Sequence, residues 1–98
     1  MATVHVTFRN AVQMGGSSIL SREPRAAESL TSSGTSDATT ITAQQGEVAS
    51  ITASGGAVYV AVGASPTAVS GAGDLVPDGG RLDIGAMLNG DKIAVIDP

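Results

Sequence analysis

From residue 38 to the C-terminus, β-rich segments of four to six residues alternate with glycine-containing turns, at 39–43, 48–53, 57–62, 81–84 and 92–96. Turns spaced this closely leave room for short strands and little else. A sixth segment, residues 3–9, alternates strictly: Val4, Val6 and Phe8 fall on one side, and Thr3, His5, Thr7 and Arg9 on the other. That is the pattern of a half-buried strand. Six short strands in 98 residues predict one all-β domain, a small antiparallel β-sandwich with under about 10% helix.

Turn chemistry refines the order. Gln44-Gln45-Gly46 fits a three-residue hairpin loop and Gly55-Gly56 a two-residue type I′ loop, which would make a meander of 39–43, 48–53 and 57–62. Segment 57–62 is apolar on both faces, so it is expected mid-sheet with cover on each side, and a second layer follows. Residues 63–80 hold five glycines and two prolines, and read as a long connection with one edge strand near Val76. Asn89-Gly90-Asp91 turns into the last strand. The expected core is Ile51, Val58, Val60, Leu82, Ile93 and Val95.

Residues 11–37 break the pattern, because Gly15-Gly16-Ser17-Ser18 and the Ser/Thr-rich 31–36 bracket a short charged stretch. This is read as an extended N-terminal arm or long loop. One or two helical turns after Pro24 would be marginal in water. The arm has little apolar surface beyond Ile19, Leu20 and Leu30, which become candidates for anchoring in a neighbour, with Arg22 and Arg25 placed to meet its carboxylates. Removing 11–37 is then expected to leave a folded β-domain.

Ala, Gly, Ser and Thr make up 48 of the 98 residues, against 22 for Leu, Ile, Val and Phe. A core this poor in large aliphatics, in a chain without cysteine for disulfides or thiolate metal sites, points to association with other chains. A trimer is expected, with a dimer as the alternative. The net charge of −4, with five basic residues dispersed along the chain, offers no footprint for nucleic acid or anionic lipid. The longest apolar run, 57–62, is far short of a bilayer span, and the N-terminus lacks a signal-peptide pattern, so synthesis in the cytoplasm is expected.

Catalytic patterns are weak throughout. His5 is the only histidine and lies on the polar side of its strand. Ser65 precedes a proline where a nucleophile elbow would continue. Gly71-Ala72-Gly73 starts like a dinucleotide loop, but Val76 stands at the third glycine position and no helix is expected to follow. Asp74, Asp78, Asp83 and Asp91 match no Ca²⁺ loop and read as turn formers. With one Phe and one Tyr there is little for sugar stacking. No enzyme activity and no cofactor are expected.

Residues 46–68, with VYVAVG followed by SPTA, and residues 79–97, ending in GDKIAVI, resemble small virion structural proteins of tailed bacteriophages that decorate or cement the capsid. The resemblance covers about half the chain. It implies a β-sandwich or jelly-roll core, no catalysis, and a symmetric oligomer on the virion's capsid surface with the major capsid protein as partner. The alternative is a phage fibre or tail-associated β-sandwich that binds a host glycan or metal through residues 63–80.

Overall fold

The computed structural model describes residues 1–14, 17–20, 24–85 and 87–98, with 11–14 and 17–20 by backbone alone. Among the described residues the strands are β1 (Thr3–Arg9), β2 (Ala11–Met14), β3 (Ser17–Leu20), β4 (Ala26–Thr31), β5 (Asp37–Ala38), β6 (Val48–Ser54), β7 (Val58–Gly63), β8 (Asp74–Val76), β9 (Arg81–Ile84) and β10 (Lys92–Ile96). No helix occurs among the described residues. One antiparallel sheet runs β4-β1-β6-β9, a second runs β5-β10-β7-β8, and β2-β3 form a two-stranded sheet of their own.

The two larger sheets make a β-sandwich because each strand turns its alternate apolar residues to one side. Val4, Val6, Phe8, Ala49 and Ile51 from the first sheet meet Val58, Val60, Val76, Ile93 and Val95 from the second in a single buried cluster. Of the expected core only Leu82 is less than fully buried, packing from the side of the sandwich. Met87, 2% exposed, closes one end.

Five of the six expected strands form, but their pairing was not legible. Gly55-Gly56 does not close a hairpin, for β6 already has β1 and β9 on its two edges, so the chain crosses to the other sheet. Only Gly55 of the pair has positive φ, and a Cβ on Gly56 would sit 3.3 Å from the Met1 carbonyl oxygen. The expected strand 39–43 does not form: the chain is irregular there, after the two-residue β5 at Asp37–Ala38. Thr39 explains the break: its hydroxyl accepts from Ile93 N (3.2 Å) and donates to the Ile41 carbonyl (3.0 Å), drawing the chain out of the ladder. Gly46 does take positive φ, in a turn whose amide donates to the Met87 carbonyl at 2.8 Å.

Residues 26–31 are the largest correction to the arm. They form β4, paired with β1 from Thr3↔Thr31 to Phe8↔Ala26. Ala26, Glu28 and Leu30 point inward while Ala27, Ser29 and Thr31 are exposed. Small side chains and an inward glutamate hide that alternation in the sequence. β7 lies mid-sheet as expected, between β10 and β8, and its outward Tyr59 and Ala61 are half-buried. Ala68 N donates to the Ser36 hydroxyl at 2.8 Å, and both Ala68 and the outward-facing Ala94 are buried.

Candidate functional site

The first β-hairpin is longer than its sheet. β1 and β4 pair as far as Phe8 and Ala26, with Arg25 N donating to the Phe8 carbonyl at 2.8 Å. Beyond them Ala11 faces Leu20, Val12 faces Ile19 and Met14 faces Ser17. Between the two ladders lie two residues on the outgoing strand and five on the return, an excess of three. The β2-β3 ribbon is a two-stranded sheet of its own, and the molecule measures 41 × 26 × 21 Å.

An ion pair fixes the base of this arm. Arg25 Nε donates to Glu47 Oε2 at 2.8 Å and its terminal nitrogen to Glu47 Oε1 at 2.9 Å, while the same nitrogen reaches the Thr42 carbonyl at 2.6 Å. Glu47 also accepts from Gln44 N at 2.7 Å. Its side chain is 2% exposed and that of Arg25 38%. The Arg25 hydrogen bonds hold the Glu47 carboxyl below the usual range; burial opposes this and the Gln44 amide adds to it. On β4, three residues beyond Arg25, the inward carboxylate of Glu28 accepts from the amides of Thr40 and Ile41 and from the Thr40 hydroxyl at 2.7–3.2 Å. Residues 39–47 thus cross from the second sheet to clasp β4.

The five anchoring candidates separate accordingly. Ile19 and Leu20 lie on β3 in the outlying ribbon, opposite Val12 and Ala11. Arg22 lies outside the described residues. Arg25 is engaged with Glu47 of its own domain. Leu30, 8% exposed, belongs to the core of its own domain, because β4 completes the first sheet. Glu47, Glu28 and Thr39 escaped sequence reasoning, since partners 12 to 54 residues away leave no local pattern.

Other chemistry-bearing residues make contacts within the domain. His5 Nδ1 and the Ser29 hydroxyl are 2.9 Å apart across β1 and β4. Asp78 accepts from Gly55 N and Asp91 from Leu88 N, both at turns. Asp83 pairs with Arg81 at 3.0 Å on β9. Burial raises the Asp83 pKa, but hydrogen bonds from Ser50 and Arg81 and the charges of Arg81 and Arg9 outweigh it, and the net shift is downward. Among the described residues no three His, Cys, Asp or Glu side chains gather to hold a metal. At the opposite end of β1, Ser32 accepts from Ala2 N at 2.7 Å and donates to Asp97, whose other oxygen lies 3.5 Å from the Met1 ammonium. Comparison with protein-family models, curated proteins and solved structures finds no match to this chain.

Proposed function

We propose that this protein is a non-enzymatic structural protein of a tailed-phage virion, one that binds and stabilises the capsid lattice as a symmetric oligomer, with the major capsid protein as the partner of its arm. The observation that carries this reading is the β2-β3 ribbon, a two-stranded sheet separate from both four-stranded sheets. A lone hairpin is marginal in water. Its sequence offers Val12, Ile19 and Leu20 to a partner, and its edges offer backbone groups for strand addition. The firm base given by Arg25 and Glu47 suits a lever that must keep its direction.

We read the strand order as that of a jelly roll in which the strand that would close the chain opens it instead, β1 standing between β4 and β6. The fold is shared by capsid and lectin domains alike, so it supports the reading without deciding it.

The test is attachment to particles stripped of this protein. Replacing residues 11–23 by Asn-Gly joins β1 to β4 through a short loop and keeps the sandwich. Loss of attachment by this variant, with an unchanged circular dichroism spectrum, is the expected result. Undiminished attachment would remove the arm from the reading and move the contact to residues 63–80.

A further inference from the structure

We infer that two copies of this chain pair through the open edge of β9, antiparallel about a two-fold axis at Leu82, joining their first sheets into one continuous sheet. This rests on the oligomeric part of the proposed function and not on the capsid.

The backbone sets the register. Ala53 N donates to the Gly80 carbonyl at 3.3 Å and the Ala53 carbonyl accepts from Gly79 N at 2.9 Å. Arg81 then faces Thr52 and Leu82 faces Ile51. Hydrogen-bonded and non-bonded pairs alternate along an antiparallel ladder, so after Ala53 the next bonded pair is Ile51 with Leu82. The N–H and C=O of Leu82 turn toward β6, and those of Arg81 and Asp83 turn toward the open edge. A second β9 laid antiparallel with Leu82 on the axis places each Arg81 opposite the second copy's Asp83. Each such pair exchanges two N–H···O bonds, four in all.

Charge chooses this register over its neighbours. Arg81 and Asp83 both lie on the outer face of the sheet, and residues directly opposite across a strand pair share a face, so opposite charges meet. An axis at Asp83 sets carboxylate against carboxylate, and an axis at Arg81 sets guanidinium against guanidinium. An axis between residues puts Leu82 opposite Asp83 and turns one sandwich over. The half-buried Leu82 and Ile84 on the inner side are covered in the same step.

The other edges of the two larger sheets are poorer. β5 and β8 have two and three residues, and β4 is clasped by residues 39–47. A stable interface buries about 800 Å² per partner and a four-residue edge less, so the dimer is a micromolar one. Simultaneous attachment to a common lattice would strengthen it through effective concentration.

The experiment is sedimentation equilibrium of the free full chain across the micromolar range, which reads self-association without any particle. Arg81→Asp and Asp83→Arg each make both cross-strand pairs like-charged, and about a tenfold weaker dimer is expected from either. The double variant restores opposite charges and the dimer, and the two single variants mixed form a heterodimer. Circular dichroism of both single variants checks that each remains folded. A wild-type chain that stays monomeric throughout, or an Arg81→Asp dimer as tight as wild type, overturns the inference. In that case Arg81 and Asp83 are edge charges that prevent pairing.

Discussion

Glu47 is a carboxylate almost sealed from water, and its three donors come from one side chain and one turn amide. Removing one partner of a buried pair leaves the other charge uncompensated, which costs about 3–5 kcal/mol when both are deep. Arg25 is 38% exposed, so water moderates the loss and Arg25→Ala is expected to cost about 2 kcal/mol in urea unfolding at neutral pH. The same pair makes stability pH-dependent. Because folding lowers the Glu47 pKa, its contribution is complete above the unfolded-state value of about 4.3 and is lost as pH falls through the folded value. Arg25→Ala should therefore flatten the acid limb of the stability profile, measured by urea midpoints on either side of pH 4. The sequence put Arg25 beside Arg22 in a charged stretch, and nothing there pointed 22 residues ahead to the turn that takes it.

At the scale of elements, β4 decides what can be removed. Excising 11–37 takes away an edge strand with Leu30 and the Glu28 clasp, and the truncated chain is expected not to fold, as circular dichroism and thermal melting would report. The Asn-Gly replacement of 11–23 spares β4 and should melt within a few degrees of the full chain. Leu30→Ala is expected to cost about 2–4 kcal/mol whatever the protein binds, since it opens a cavity in the core. The strands β1, β9 and β10 match the sequence expectation residue for residue, and β6 and β7 differ from it by one residue at one or both ends. Their Val and Ile residues contrast sharply with the intervening positions. In β4 the contrast is Ala26 against Ala27 and Leu30 against Thr31, too faint to separate from a loop, and across residues 11–25 neither composition nor periodicity marks a ribbon.

For the whole molecule, the core is built mostly from Val, Ile and Ala, with one Phe, one Leu and one Met, and the proposed oligomer would add to the stability it supplies. If copies pair through β9, the melting temperature should rise with protein concentration, and Arg81→Asp should abolish that dependence. Layer number was legible in the two-faced apolar run at 57–62, but sheet membership was not: a turn such as Gly55-Gly56 serves equally to reverse within a sheet or to cross between two. The ends of the chain complete the geometry. Met1 and Asp97 meet beside the start of β1, whereas the arm departs from its other end at Arg9. Under the proposed function the molecule accordingly has two poles, the arm that would grip and, at the far end of β1, the place where Met1 and Asp97 meet side by side. Anything joined to either end, by nature or by design, is carried away from the gripped surface, and a fluorescent domain fused at Met1 or at Pro98 should leave attachment by the arm unchanged.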